Sequence, residues 1–303
     1  MVKTIINRQT ALFFIILAFV FTNISCLRYS KGSDSLSHFA KLDDIDIHYK
    51  LNGKGKETIL FIHGWSCDNS FWRFQISAFA DNYRVIAVDL PGHGLSSKPN
   101  IRYSPDFFAD AVKSVLDETK TESAVLVGHS SGFAVARQFA LKYPKRCRAL
   151  CSTDGVFFRI PENPQELAEW KKQNNQFVQS FKSEGRREYI EQFLNSLYYG
   201  KTPVELRKEI KSKILLTPDY VANSTMEEVI RTDIWKDKTI KIPLLALYAK
   251  APDLPRDTEQ YLRSLFPVME YHEWDDTGHF PMMEKPERFN RLLLNFMAEY
   301  LNE

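Results

Sequence analysis

The residues best suited to chemistry in this chain lie in one short stretch, GHSSG, from Gly128 to Gly132. The apolar run Val125 to Val127 before it predicts a buried strand, and Phe133 to Tyr143 after it predicts a helix. Glycine on both sides of Ser130 suits a sharp strand-to-helix turn, because a residue without a Cβ atom lets the backbone pass closely. We therefore expect the Ser130 hydroxyl to stand clear of the sheet, where it can act as a nucleophile.

A serine hydroxyl is a weak nucleophile at neutral pH. It needs a base within hydrogen-bond reach and a further group that orients the base. In open α/β sheets such groups gather beyond the carboxyl ends of the parallel strands. Several predicted strands end close to polar residues: Thr58–Ile62 before His63, Arg84–Val88 before Asp89, Arg148–Ser152 before Asp154, Ile242–Tyr248 before Asp253 and Met269–Trp274 before His279.

Four motifs resemble those of the α/β-hydrolase family and occur in the family's order. They are HGW at 63–65, DLPGHGLS at 89–96, GHSSG at 128–132 and GHFP at 278–281. The resemblance covers nearly everything after the N-terminal segment. It implies an α/β fold with a mostly parallel, doubly wound sheet of about eight strands, and a nucleophile, an acid and a histidine in that chain order.

The resemblance assigns the catalytic roles residue by residue. Ser130 matches the family's nucleophile and His279 its base. Asp253, after the strand that ends at Tyr248, is the predicted acid of the triad, although the residues just before it depart from the family's usual pattern. Asp154, at the end of the preceding core strand, is the alternative acid, since some family members carry it there.

The resemblance also implies an oxyanion hole made of two backbone N–H groups, those of Trp65 and Ser131. Gly64 lacks a Cβ atom and so lets the amide that follows it turn inward. His93 lies in the glycine-rich loop of the second motif, where we expect it to order the loop rather than act as a base. No ligand cluster or phosphate-binding glycine loop is visible, so no metal or organic cofactor is expected.

From about residue 156 to 234 the chain loses its buried strands and becomes charged and amphipathic. Aromatic residues recur there at intervals typical of helices. The family inserts a helical cap at this point, which implies a core of residues 36–155 and 235–303 with a cap of residues 156–234. We expect most of these aromatic side chains to form the interior of the cap and a minority to face the substrate; they are Trp170, Phe177, Phe181, Tyr189 and Phe193.

Residues 1–30 resemble an export signal rather than part of the fold. Lys3 and Arg8 precede the apolar run Ala11 to Phe21, which is shorter than the roughly 20 residues that span a bilayer. The stretch ending at Cys26 also resembles a bacterial lipoprotein signal, which implies lipidation of that cysteine. An uncleaved membrane anchor stays open. We expect an exported protein, periplasmic or membrane-anchored, with membrane association possible through this segment.

The charge is nearly balanced, with 40 Lys and Arg against 38 Asp and Glu, and no basic stripe indicates a nucleic-acid partner. A serine at position 130 disfavours the family's epoxide hydrolases and haloalkane dehalogenases, which use a carboxylate nucleophile. We expect a serine hydrolase, a carboxylesterase, that cleaves a carboxylic ester or related acyl bond of a small to medium apolar substrate. Carbon–carbon bond hydrolysis, acyl transfer or perhydrolysis by the same triad, and a surface-anchored hydrolase-like binding protein, are the alternatives.

Overall fold

Eight strands form one sheet in the computed structural model, which describes residues 36–251 and 254–301. The order across the sheet is β1-β2-β4-β3-β5-β6-β7-β8. The β1–β2 and β2–β4 pairs are antiparallel and all the other pairs are parallel, so the predicted fold class is confirmed. The strands are β1 (Leu36–Leu42), β2 (Ile45–Asn52), β3 (Thr58–Ile62), β4 (Arg84–Val88), β5 (Ala124–His129), β6 (Cys147–Thr153), β7 (Leu244–Ala249) and β8 (Met269–Trp274).

Helices connect the strands and cover both faces of the sheet. They are α1 (Arg73–Phe79), α2 (Pro105–Glu118), α3 (Ser131–Lys142), α4 (Pro164–Ser180), α5 (Arg186–Leu197), α6 (Val204–Ile214), α7 (Asp219–Val229), α8 (Thr258–Leu265), α9 (Pro281–Glu284) and α10 (Pro286–Tyr300). Helices α2, α3 and α8 contribute side chains to one hydrophobic core, and α1 and α10 contribute to the other. The sheet lies between these two cores.

Strand β3 illustrates why the sequence folds into a sheet covered on both faces. All five of its side chains are buried. Ile59 and Phe61 belong to one core, whereas Leu60 and Ile62 belong to the other, because successive side chains of a strand point to opposite faces. The unbroken apolar run in the sequence predicts this strand with its bounds as observed.

Helix α2 begins where the sequence predicts a helix start. Ser104 caps it, with its Oγ accepting the N–H of Phe107 at 3.1 Å, and Pro105 occupies the first helical position. A serine cap followed by proline is favourable because the first N–H groups of a helix have no partner within the helix. The cap fixes the start of α2, which brings Pro105 and Phe108 to the edge of the site described below.

The segment between β6 and β7 carries helices α4 to α7 and no strand among its described residues. Its aromatic side chains contact one another: the rings of Phe181 and Tyr189 lie 5.0 Å apart, and those of Phe177 and Phe193 lie 5.8 Å apart. The ring of Trp65, from the core, joins this group 5.1 Å from that of Phe181. The helical segment is thus packed against the loop that follows β3.

The predicted export signal, residues 1–30, and the lipidation of Cys26 lie outside the described residues and stay predictions. No helix of residues 36–251 or 254–301 combines the length and apolar character needed to cross a membrane. Cys67, Cys147 and Cys151 are free and buried. Burial raises the pKa of the Cys147 and Cys151 thiols, which keeps them protonated and unreactive.

Candidate active site

Ser130 lies at the sharp turn between β5 and α3, with φ 52° and ψ −125°. A positive φ is strained for a residue other than glycine and is retained only where the surrounding structure imposes it. Serine is a favourable N-cap residue, yet the Ser130 side chain makes no capping hydrogen bond to α3. The hydroxyl is therefore not used by the helix that it precedes.

The glycines around the turn allow backbone to lie against backbone. A Cβ atom on Gly132 would lie 2.5 Å from the carbonyl oxygen of His63 and 2.6 Å from that of Ile62. A Cβ atom on Gly64 would lie 2.9 Å from the Cβ of Ser130. The end of β3 and the turn at Ser130 are thus packed too closely for any side chain at these positions.

Replacing Gly132 with alanine is expected to lower the free energy of unfolding by about 3 kcal/mol, because the new methyl group meets rigid backbone and the turn must shift. Alanine is a better helix former than glycine by about 1 kcal/mol, so the clash has to exceed that gain. Urea denaturation measures the change. The control is Gly185→Ala, since nothing lies within 4 Å of that position. An equal loss in both variants would contradict the close packing.

His279 is paired with Asp154. The His279 Nδ1–H donates to Asp154 Oδ2 at 2.5 Å, and the N–H of Ala249 donates to Asp154 Oδ1 at 2.8 Å. Asp154 directly follows β6 and has a φ of 47°. The N–H of Ser130 donates to the carbonyl of Thr153 at 3.1 Å, which brings the serine beside this acid.

The predicted acid, Asp253, lies outside the described residues. The carboxylate that orients the His279 ring in this structure belongs to Asp154, the alternative acid, and it occupies the Nδ1 position that a triad acid must take. The assignment of Asp253 stays a prediction, and among the described residues the hydrogen bond to His279 Nδ1 favours Asp154.

His129 connects the serine turn to the His279 loop. Its Nε2–H donates to the carbonyl of His279 at 2.8 Å, and the two rings lie 4.7 Å apart. Burial lowers the pKa of His129 well below its usual value, with a further contribution from His279, so the ring is neutral. On its other side, the His279 N–H donates to the carbonyl of Leu197 at 2.8 Å. No hydrogen bond joins Ser130 directly to His279 within the described residues.

Sequence reasoning treated His129 only as the variable position of the GHSSG motif. Its contact with His279 joins residues 150 positions apart in the chain. The only sign of this contact in the sequence is that the residue before the serine is a histidine.

Trp65 and Ser131, the predicted oxyanion-hole residues, flank the nucleophile. Ser131 is the first residue of α3, so its N–H has no partner within the helix, and the helix N-terminus favours negative charge. Gly64 lies against Ser130, and Trp65 is the next residue in the chain. The role of the two N–H groups as an oxyanion hole stays a prediction. The Trp65 Nε1–H donates to the carbonyl of Ala222 at 2.8 Å and fixes the indole against α7.

The other two motif histidines, His63 and His93, each hydrogen-bond to the backbone of the loops that carry them. The His63 Nδ1–H donates to the carbonyl of Gly64 at 2.9 Å, and its Nε2 accepts the N–H of Leu90 at 3.0 Å. The His93 Nδ1–H donates to the carbonyl of Pro91 at 3.0 Å. Burial, with a contribution from His63, lowers the pKa of His93 to about 3. His93 is therefore neutral and orders its loop, as the sequence predicts.

Asp89 holds the same loop in place. Its carboxylate accepts the backbone N–H groups of Asn69 at 2.7 Å and Leu95 at 2.9 Å, and it lies 2.8 Å from His48 Nδ1. Burial alone would raise the pKa of Asp89, but these hydrogen bonds, with that of His48 first, lower it overall. The described residues contain no group of three or more His, Cys, Asp or Glu side chains that could hold a metal ion.

The sheet and the serine turn, with a histidine held by an acid beside it, define an α/β hydrolase. A sequence profile of the Alpha/beta hydrolase family matches residues 59–292. The chain belongs to that family.

Three similar proteins illustrate the range of the family. A 2-hydroxy-6-oxononadienedioate/2-hydroxy-6-oxononatrienedioate hydrolase of Paraburkholderia phymatum is 29% identical over 84% of this chain and 92% of its own. A pimeloyl-[acyl-carrier protein] methyl ester esterase of Yersinia enterocolitica is 24% identical over 84% of this chain and 98% of its own. The structure of a thermophilic esterase from Thermogutta terrifontis superposes with a TM-score of 0.73 at 25% identity, covering 88% of this chain and 98% of the esterase.

Proposed function

We propose that this protein is a serine hydrolase that cleaves a carboxylic ester or related acyl bond of a small to medium, largely apolar substrate. The observation that carries the proposal is the pairing of His279 with Asp154 beside a strained Ser130 whose hydroxyl the helix does not use. A base, its orienting acid and an uncommitted nucleophile are the parts that acyl transfer requires.

In the proposed reaction, His279 accepts the Ser130 proton while Oγ bonds to the carbonyl carbon. Asp154 stabilises the imidazolium that forms. The N–H groups of Trp65 and Ser131 stabilise the oxyanion, each donor being worth about 3–4 kcal/mol of the barrier. The imidazolium then protonates the leaving oxygen as its bond to the carbonyl carbon breaks. Water, deprotonated by His279, attacks the acyl-enzyme and releases the acid and Ser130.

The Ser130–His279 hydrogen bond belongs to the substrate complex in this scheme. Catalytic hydrogen bonds are often long without substrate and shorten when it binds. The His279 loop is anchored through His129 and Leu197 on either side, so the scheme assigns the motion to the Ser130 and His279 side chains.

The relatives support ester hydrolysis and one alternative. The proteins from Y. enterocolitica and T. terrifontis are named esterases. The P. phymatum relative is named for a keto dicarboxylate that contains no ester group, so the same triad in this chain is a candidate for carbon–carbon bond hydrolysis. Acyl transfer and perhydrolysis also use a serine acyl-enzyme. Product analysis with water, alcohols and hydrogen peroxide as acyl acceptors separates them.

A fluorophosphonate probe tests the proposal directly. We expect it to label the wild-type protein once, at Ser130, because only an activated serine attacks the phosphorus. Mass spectrometry of tryptic peptides identifies the labelled residue, and Ser130→Ala is the unlabelled control. Failure to label folded wild-type protein would favour a hydrolase-like binding protein instead.

A further inference from the structure

A small cavity lies behind the predicted oxyanion hole, between the core and helix α7. Its lining includes Gly64 and Ser131 from the core and Phe108, Thr225 and Val229 from helices α2 and α7. Its volume is about 10 Å³, roughly what one water molecule or a similar small group occupies. The cavity ends against α2 and α7.

Two buried polar atoms of residues that line this cavity have no hydrogen-bond partner within the described residues. They are Nε2 of His93 and Oγ1 of Thr225, both buried. A buried polar atom without a partner costs about 1–3 kcal/mol, and native proteins rarely leave one unsatisfied. A group that enters the cavity and bonds to both atoms would remove this cost.

The chemistry of that group follows from the two atoms. His93 uses its Nδ1–H on the carbonyl of Pro91, so its neutral ring offers only an acceptor at Nε2. The Thr225 hydroxyl can donate or accept. A hydroxyl satisfies both, since it donates to His93 while it accepts from Thr225. A carboxylate or a carbonyl has no proton to donate, so it would face the lone pair of His93 Nε2 with its own lone pairs and be repelled.

The position of the cavity shows which part of a substrate would occupy it. The leaving group must lie beside His279, which protonates it. None of Ser130, His279 and Asp154 lines the cavity, whereas Ser131 and Gly64 do. Ser131 follows Ser130 in the chain, and Gly64 lies against it. The acyl part also stays on Ser130 after the leaving group departs, so a pocket with a closed end suits it.

We propose that this cavity is the inner end of the acyl pocket and that it takes the hydroxyl of a short hydroxyacyl group, which Thr225 and His93 bind. The substrate class is then esters of short hydroxy acids such as glycolic acid. The inference rests on the proposed serine hydrolase and deepens it by naming the acyl group.

Two nearly isosteric esters test the inference. Phenyl glycolate and phenyl propionate differ by a hydroxyl in place of a methyl group. We expect wild-type kcat/KM, divided by the uncatalysed hydroxide rate for each ester, to favour glycolate about tenfold or more, because the propionate leaves His93 and Thr225 unpaired. Thr225→Val, which keeps the shape and removes the hydroxyl, is expected to bring this ratio close to one, and Thr225→Ser to keep it.

The control is Thr121→Val, because Thr121 is a buried threonine that bonds to Thr119 away from the cavity. It should leave the ratio unchanged. Val229→Ala gives an independent readout, since a larger cavity should raise the activity on phenyl butanoate relative to propionate. A wild-type ratio near one, or a ratio that Thr225→Val leaves unchanged, would overturn the inference and leave the cavity to a water molecule.

Failure of the inference is distinct from failure of the proposed function. If wild type hydrolyses both esters and Ser130→Ala does not, but no hydroxyl preference appears, only the acyl-pocket inference is lost. If wild type hydrolyses neither ester, or Ser130→Ala hydrolyses them as fast, the serine-hydrolase proposal is lost as well.

Discussion

Replacing Asp154 with asparagine is expected to lower kcat about 10⁴-fold, the scale measured when a triad aspartate is replaced in this way. Asparagine can retain the acceptor at Oδ1 for the N–H of Ala249, but its amide cannot stabilise the imidazolium of His279. It also favours the wrong tautomer of the ring. KM should change little, because the acid touches the base rather than the substrate.

The matched control is Asp253→Asn, which removes the carboxylate that the sequence favours as the acid. We expect its kcat to stay within about twofold of wild type, as for a substitution away from the reacting groups. Steady-state kinetics with phenyl acetate compare the two variants, and urea denaturation checks that Asp154→Asn is folded. The reverse pattern, with Asp253→Asn inactive and Asp154→Asn active, would restore Asp253 as the acid.

Local features of the chain are predictable because the determinants are local. The strands Thr58–Ile62 and Met269–Trp274 have the predicted bounds, since an apolar or alternating run between turn residues is a signal contained in the run itself. The start of helix α2 follows from Ser104 and Pro105 in the same way. The sharp turn at Ser130 follows from its glycines.

The acid could not be chosen from the sequence because the two candidates follow neighbouring strands. Strands β6 and β7 are adjacent, with Thr153 paired to Leu247, so either strand end could reach the histidine. Ala249 and Lys250 replace the family's usual residues before Asp253, and this departure from the pattern argues against Asp253 as the acid. Asp154 is favoured by its hydrogen bond to His279 and by the N–H of Ala249 that holds its other carboxylate oxygen.

The cavity behind the oxyanion hole was also beyond sequence reasoning. His93 and Thr225 are separated by more than a hundred residues and belong to a core loop and to the helical segment. Nothing in either local pattern says that both side chains lack a partner. Such a feature depends on how two elements pack, and packing is visible only in the structure.

Removing the nucleophile is expected to have the largest effect on activity. Ser130→Ala should lower kcat about 10⁶-fold, leaving the residual rate that the oxyanion hole and substrate binding provide. Ser130→Gly should be equally inactive. Hydrolysis of phenyl acetate by purified protein measures both. A variant that retains more than about a hundredth of the wild-type rate would show that another group attacks the ester.

The same two variants are expected to differ in stability. Alanine keeps the strain of a φ near 52°, whereas glycine adopts that conformation without steric cost. The free energy of unfolding of Ser130→Gly should therefore be about 1 kcal/mol higher than that of Ser130→Ala. Ser131→Gly is the matched control, because it puts glycine at the neighbouring helical position, where glycine is unfavourable by about 0.5–1 kcal/mol. If glycine raises the free energy of unfolding at position 130 and lowers it at position 131, the turn holds its serine in a conformation retained for catalysis rather than stability. Effects of the same sign at both positions would contradict this.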